Sequence, residues 1–405
     1  MIFVYNLIYI LALPLIIIRD FLTKRVKGVN FFKSKFGFID KSQDEHIWIH
    51  GVSLGEVRAL SGIVSSLLNE EKKILFTSST NTGLTEILNK YSTDSVVVMP
   101  FPYDLNFLHQ KIISNFNVSK IILFESEFWP NLIFSKPNNV QLISLNTTIS
   151  EKTLKKMRLF KPFSDQLIRR FDLFLAQTNE IKSYLLEFQA SNIKVTGNIK
   201  LSPENYRLNE EKANDIAGKL AKNRLKVVAG STHEGEEDFI IEALKSLHDM
   251  QLIIAPRHPE RFDIVSGTFQ NQSLNYSIYS HQNNHENSDV VLFDKVGDLY
   301  ELYSACDVAI VGGSIIFTKG HNFIEPIHAN SVSITGENLS NFKELKKIFC
   351  SEGPVMTFKD KKELAGIISD LKIESQRNER LFLQKEKLEE YSGNYSVILS
   401  ALTDE

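Results

Sequence analysis

This chain reads as an α/β protein built from two doubly wound, Rossmann-like domains behind an N-terminal membrane anchor helix, and three observations carry that reading. Short apolar runs, rich in Val and Ile as buried parallel strands are, alternate with helical patterns, which argues for parallel sheets covered by helices. The series of runs begins afresh after a charged, Asn-containing stretch from Ser202 to Arg224, the candidate linker. The third observation is compositional: Met1 to Ile18 holds no charged side chain.

The apolar N-terminus is near the lower limit of length for crossing a bilayer, roughly 17 to 25 residues. Arg19, Lys24, Arg25 and Lys27 follow it, and a basic cluster in that place keeps the rest of the chain on the cytoplasmic side. No basic region precedes the run and no small-residue cleavage site ends it, which argues against a signal peptide. A helix packed on the domain is the alternative, kept open by Asn6 and Pro14 within the run. The first series of strands is expected at 47–52, 73–78, 95–99, 121–124, 140–145 and 172–177, and the second at 225–229, 251–255, 290–293, 308–311 and 332–335. The domains are accordingly 1–27 for the anchor and its basic flank, 28–205 for the first Rossmann-like domain and 206–405 for the second. Two such domains imply a cleft between them, with ligands near the carboxyl ends of the strands.

A length of 405 residues, 43% hydrophobic and 23% charged, suffices for two substantial cores. The net charge of -3 argues against a nucleic-acid binder, which draws on an excess of Lys and Arg. Cys306 and Cys350 are the only cysteines; without CxxC spacing or a partnered His cluster they suggest neither a disulfide framework nor a metal site, and they read as small apolar packing residues.

The motifs fall at strand ends. His50 to Val57 closes the first strand and places Glu56 at the start of a helix beside a glycine turn. A fixed, partly desolvated carboxylate there is a general-base candidate, and the alternative is an acidic first-turn residue favoured by the helix dipole. Glu125 and Glu127 follow the fourth strand and point the same way if the strand continues, with Trp129 offering a flat surface for a sugar or acyl group. The other reading of that segment is a helix start with Trp129 in the core. Gly197 to Lys200 forms a turn in which Lys200 either offsets charge developing during transfer or is a solvated surface lysine.

In the second series Gly230 to Glu237 follows a strand, where Ser231 and Thr232 offer donors for an anion or simply cap a helix. Pro256, Arg257 and His258 end the next strand. Arg257 and Arg261 suit phosphate or carboxylate, and His258 can donate to a leaving phosphate, with surface ion pairs as the alternative for the arginines. The run Asp307 to Ser314 is an apolar strand ending in Gly312, Gly313 and Ser314, followed by Asn322, Phe323, Ile324 and Glu325. Glycines admit a close ligand, backbone N–H groups suit phosphate, and Glu325 can accept from ribose hydroxyls, so the pattern points to a nucleotide sugar.

As an ordered set, His50 to Glu56, Phe101-Pro102-Tyr103-Asp104, Glu125 to Asn131, Gly197 to Lys200, Gly230 to Glu237, Pro256 to Phe262 and Gly312 to Pro326 resemble the bacterial 3-deoxy-D-manno-octulosonic acid (Kdo) transferases. The resemblance runs from the anchor nearly to the C-terminus. It implies a GT-B architecture and inverting transfer of Kdo from CMP-Kdo to a lipid A precursor, without metal or cofactor, at the cytoplasmic face of the inner membrane. Glu56 falls on the family's base position and Lys200 is taken as its catalytic companion. Ser53, Gly55, Glu125 and Glu127 fall on the acceptor side. Ser231, Thr232, Pro256, Arg257, His258, Gly312 to Ser314 and Asn322 to Glu325 fall on the donor side. The stretch Asn146 to Thr153 departs from the family, whose members carry arginines there, and this bears on acceptor contacts. A GT-B-like sugar-nucleotide epimerase is the rival reading, against which the lipid-facing segment weighs.

Overall fold

Fourteen strands among the described residues form two all-parallel sheets, and each sheet is the core of its own compact unit. The computed structural model describes residues 1–23, 30–91 and 94–403; Lys24, Arg25 and Lys27 of the expected basic flank lie outside them. In the first unit β1 (His46–His50), β2 (Lys73–Ser78), β3 (Val96–Pro100), β4 (Val118–Phe124), β5 (Gln141–Thr147), β6 (Leu173–Ala176) and β7 (Ile193–Val195) are ordered β3-β2-β1-β4-β5-β6-β7. In the second, β8 (Leu225–Thr232), β9 (Met250–Pro256), β10 (Tyr276–Ile278), β11 (Val290–Leu292), β12 (Val308–Val311), β13 (Val332–Gly336) and β14 (Met356–Phe358) are ordered β10-β11-β9-β8-β12-β13-β14. The strand order reverses beside β1 and β8, so the loops leaving those strands open onto the crevice where α/β sheets hold ligands.

Alternation along each strand divides its side chains between two apolar layers. Trp48, Leu75, Ile121, Leu123 and Leu142 pack on one face of the first sheet, while Ile47, Ile49, Phe76, Ile122, Phe124 and Ile143 pack on the other. The second sheet repeats the device, with Val227, Ala229, Leu252, Ile254 and Ile310 on one side and Val228, Ile253, Val291 and Ala309 on the other. Burial on both faces is why these strands read as continuous apolar runs. The short strands β7, β10 and β14 escaped the sequence reading because each has a polar residue at its centre, unlike the equally short but wholly apolar β11.

One boundary needs correction. The units comprise Met1–Asn205 with Tyr391–Glu405, and Tyr206–Glu390. The C-terminal segment expected in the second domain returns to the first: Ile398, Ala401 and Leu402 of the helix Tyr395–Thr403 join the apolar layer of Ile63 and Ile199. The Lys120 ammonium donates to the Leu402 carbonyl at 2.8 Å. Gly197 permits this return, because its φ is 76° and an added Cβ would stand 2.1 Å from the Ser392 carbonyl oxygen.

The N-terminal apolar segment forms the helix Ile2–Thr23, with Pro14 inside it. It docks along the first unit through polar groups and leaves its largest apolar side chains exposed. Both thiols are free; burial pushes the half-buried Cys350 up to about 12 and the buried Cys306 higher still, as suits inert packing groups.

Candidate functional site

Each unit gathers chemically capable residues at the carboxyl edge of its sheet. In the first, β1 ends at His50 and Ser53 caps the helix Leu54–Asn69. Ser53 Oγ accepts from the Glu56 N–H at 3.4 Å and donates to Glu56 Oε1 at 3.0 Å, while the Val52 N–H donates to Glu56 Oε2 at 2.8 Å. The arrangement is a capping box in all but its exact partner, so Glu56 is a first-turn residue of its helix. The same bonds fix the carboxylate. Burial raises its pKa above the usual carboxylate value, the Glu125 charge adds to that, and the Val52 N–H, the Lys200 charge and Ser53 oppose it. A Cβ on Gly55 would meet only Ser53 Oγ, at 4.0 Å, which leaves that side of the turn open.

Glu125 and Glu127 do not point the same way, contrary to the sequence expectation. β4 ends at Phe124 and Glu125 adopts φ 60°, which breaks the two-residue period. Glu125 turns to Lys200, with Oε1 at 2.6 Å from Nζ, so Lys200 is an ion-paired member of this edge rather than a solvated lysine. Asn146, itself at φ 57° and buried, holds both sides: its side-chain Nδ2 donates to Glu125 Oε1 and Asn198 Oδ1, and its Oδ1 accepts from the Ile199 N–H at 2.9 Å. The stretch from Asn146 to Thr153 thus serves local structure, with Ser150 capping the helix Glu151–Leu159.

Glu127 faces the other way. Trp129 Nε1 donates to its Oε2 at 2.7 Å, and Trp129 also packs on Phe101 at 4.8 Å between centroids, so this half-buried indole is both a carboxylate partner and part of the apolar layer. Burial first, then the charges of Glu56 and Glu125, push Glu127 up to about 7. His50 Nε2 stands 3.8 Å from the same oxygen. That contact is no ion pair, because burial pushes the His50 imidazole down to about 3. His50 Nδ1 lies 3.1 Å from the Thr77 carbonyl, which can only accept, so Nδ1 carries the proton and Nε2 turns a lone pair toward Glu127.

On the second unit the expected phosphate cradle has an internal occupant. The N–H groups of Gly313, Ile315 and Ile316 donate to the buried Glu236 carboxylate at 2.7, 2.9 and 3.2 Å, and so does the His233 N–H at 3.0 Å. Ser314 is buried, donating to the Val311 carbonyl and accepting from the Gly336 N–H. The helix Glu236–Leu244 starts at Gly235 (φ 83°), so neither Ser231 nor Thr232 caps it. β8 runs on through Thr232, whose buried hydroxyl donates to Glu237 at 2.7 Å; Ser231, at φ 56°, is half-buried. Three carboxylates in the first helical turn, Glu236, Glu237 and Asp238, take the dipole position assigned to an anion.

Arg261 pairs with Glu237 through two nitrogens at 2.6 and 3.1 Å and is structural. Arg257 is exposed and in no salt bridge among the described residues, and Pro256 and the exposed His258 flank it. Phe323 and Ile324 are wholly buried, so their side chains pack in the core. Asn322 donates to Tyr206 Oη at 3.3 Å and caps Ile324 N, while half-buried Glu325 starts the helix Glu325–His328 and its charge raises the Tyr300 and Tyr303 phenols, after burial. Gly312 and Gly313 leave no room for side chains: a Cβ would stand 2.6 Å from the Ser231 carbonyl oxygen and from the His321 ring respectively.

Three features lie inside the quoted motifs but were given no role from sequence. Glu236 was seen only as a helix-start acid. His233 Nε2 meets His321 Nε2 at 2.8 Å, and burial lowers both, His321 to about 4, so the pair is neutral with one donor and one acceptor. Asp104 is fully buried and accepts from Tyr5 Oη, His109 Nε2 and the N–H groups of Asn131 and Leu132, at 2.7 to 3.1 Å. The motif Phe101 to Asp104 marked its position, but its bonding partners are remote in sequence.

Residues 30–202 match the family described as 3-Deoxy-D-manno-octulosonic-acid transferase (kdotransferase). A 3-deoxy-D-manno-octulosonic acid transferase of Haemophilus influenzae is 30% identical over 77% of this chain and 76% of its own length. A bifunctional glycosyltransferase/methyltransferase of Fusobacterium nucleatum is 30% identical over 85% of this chain, which spans only 55% of that relative. Among solved structures, a UDP-GlcNAc 2-epimerase from Neisseria meningitidis superposes with a TM-score of 0.58 at 11% identity, covering 89% of this chain and all of that one. A glycosyltransferase from Rickettsia africae does so at 0.54 and 15%, covering 90% of this chain and all of that one. At such identities these likenesses show the two-sheet GT-B fold and nothing of the chemistry.

Proposed function

This chain belongs to the Kdo transferase family of glycosyltransferases, and from that membership we propose that it moves Kdo from CMP-Kdo to a sugar hydroxyl of a lipid A precursor, with inversion and without a metal ion, at the cytoplasmic face of the inner membrane. The observation that carries the mechanism is the fixed Glu56 carboxylate. It is held by Val52 and Ser53 with a raised pKa beside an open glycine turn.

Glu56 takes the proton of the acceptor hydroxyl as that oxygen attacks the anomeric carbon of Kdo from the face opposite CMP. A single base is enough for inversion. Glu127 holds a proton near neutral pH and thereby keeps a second negative charge away from Glu56, while Lys200 balances Glu125. On the donor side the exposed Arg257 suits the departing phosphate, with the His233–His321 pair set on the glycine loop beside it. The amides once expected to share this charge are bonded to Glu236, which holds the loop in shape instead. Glu325 and Asn322 are the candidates for the nucleoside.

The acceptor's acyl chains stay in the bilayer, so its sugar is reached by an enzyme held at the surface. The apolar helix Ile2–Thr23 supports that placement. Incubation of the full chain with CMP-Kdo and a lipid A precursor, with mass spectrometry of the lipid, tests the whole reading. The expected result is a lipid heavier by whole Kdo units, unchanged by a chelator. An unmodified lipid refutes the assigned substrates, and loss of transfer on chelation refutes the metal-free mechanism.

A further inference from the structure

The N-terminal helix is apolar over most of its surface, and its uncharged polar side chains Tyr5, Asn6 and Tyr9, with Asp20, lie on the side that faces the protein. Tyr5 Oη donates to Asp104 Oδ2 at 2.7 Å, Tyr9 Oη accepts from the Asp104 N–H at 3.0 Å, and Asn6 Oδ1 accepts from Asn131 Nδ2 at 2.7 Å. About three turns after Tyr9 the buried Asp20 meets Lys35 at 3.4 Å and the Tyr103 hydroxyl at 3.4 Å, and Asn81 donates to the Thr23 carbonyl at 2.9 Å. Between Asn6 and Asp20 the axis advances about 21 Å at about 1.5 Å per residue, so the helix is fixed to the first unit along most of its length. The opposite side carries Phe3, Val4, Leu7, Ile8, Leu11, Leu15, Ile18 and Leu22, all exposed. A helix of a water-soluble protein turns its most apolar side inward; this one leaves a wholly apolar side exposed.

Such a helix cannot cross a bilayer while docked. A crossing would carry the Asp20–Lys35 pair and the Asp104 cluster into hydrocarbon together with the polar surface around them, where unsatisfied polar groups are not tolerated. We infer that the helix Ile2–Thr23 lies flat in the headgroup and acyl boundary of an anionic lipid surface, as a monotopic anchor rather than a span. Charge complementarity supports that occupant: Arg19 is exposed at the helix end, where it also meets Asp20 at 3.0 Å, Lys24, Arg25 and Lys27 follow in sequence, and anionic lipids attract such residues. The docking has a functional consequence. Asp104 also receives the N–H groups of Asn131 and Leu132, which open the helix after Glu127 and Trp129, so a single buried carboxylate ties the anchor to the acceptor-side loop. The bilayer plane is thereby set at a fixed height relative to the place where a lipid-borne sugar would be received.

This rests on the reading of the enzyme as membrane-associated, and the test separates the two. In a Cys306→Ala, Cys350→Ser background, Val4→Cys, Leu11→Cys and Ile18→Cys each place one probe on the outward side, seven residues apart. The full-length proteins are labelled with bimane and bound to vesicles of phosphatidylethanolamine and phosphatidylglycerol carrying depth-graded brominated lipids. A flat helix gives three similar, shallow depths, about 5–10 Å below the headgroups. A Leu11 probe at the midplane, with the Val4 and Ile18 probes near opposite surfaces, overturns the inference and leaves membrane association standing. Failure of all three proteins to float with vesicles overturns both. Tyr5→Phe with Asn6→Leu releases the first turns from Asp104 and Asn131 and should move the Val4 probe alone; an unchanged profile overturns the docking as the cause.

Discussion

Replacing Glu127 by glutamine should make the first unit more stable at alkaline pH and leave it nearly unchanged in acid. In the folded chain Glu127 titrates near 7 instead of its ordinary 4.5, because burial disfavours the carboxylate and the charges of Glu56 and Glu125 repel it, against the stabilising Trp129 N–H. A carboxyl whose folded pKa is raised contributes stability that is fully present below the unfolded value and lost as pH rises through the folded one. The window is therefore from about 4.5 to about 7. A shift of that size corresponds to on the order of 3 kcal/mol at about 1.4 kcal/mol per pKa unit. Glutamine has the same shape, keeps an oxygen for Trp129 Nε1, can donate toward the His50 Nε2 lone pair, and has no proton to lose in this range. Trp48 and Trp129, the two tryptophans, both lie in the first unit, so urea unfolding followed by their fluorescence reports that unit. Wild type and Glu127→Gln should show similar midpoints near about pH 5 and diverge, with the variant more stable, by about pH 8. An equal difference at both pH values, or a variant that is the less stable at about pH 8, would refute the argument that burial and like charge raise this group.

The other predictions concern single contacts. Glu56→Gln keeps the acceptor oxygen for the Val52 N–H and should lower transfer about 10²- to 10⁴-fold, while calorimetry shows CMP binding unchanged. The wild-type rate should rise with pH through a Glu56 pKa above the ordinary 4.5, since the base acts only when ionised, and that limb should vanish in the variant. Glu236→Ala leaves four N–H groups without their acceptor and should destabilise the second unit by about 3–5 kcal/mol, the usual cost of breaking a buried charged network; differential scanning calorimetry reads the loss, and CMP affinity should fall with it. Gly197→Ala combines a left-handed φ of 76° with a Cβ 2.1 Å from the Ser392 oxygen and should cost upward of about 2 kcal/mol in urea, with the C-terminal helix becoming protease-sensitive first.

Much of this molecule was legible in the order of its residues. Parallel strands buried on both faces must be apolar throughout, so β2 and β12 appear in the sequence with their observed bounds and the restart of the series marks a second sheet. The end of the first strand and the turn at Gly51 place Glu56 at a helix start, as observed. The geometry inside those turns was decided only in three dimensions. A left-handed Glu125 sends neighbouring carboxylates to different partners, Lys200 in one case and Trp129 in the other. Glu236, 77 residues before Gly313, fills an amide nest that local sequence assigned to a phosphate. The N-terminal helix shows the division most clearly: its hydropathy declares an affinity for lipid, but which side turns outward is set by Asp104, Asn131 and Lys35, far along the chain. Composition fixes what a segment prefers to touch, whereas hydrogen-bond partners distant in sequence are brought within reach only by the folded sheet, and they determine the direction in which that preference acts.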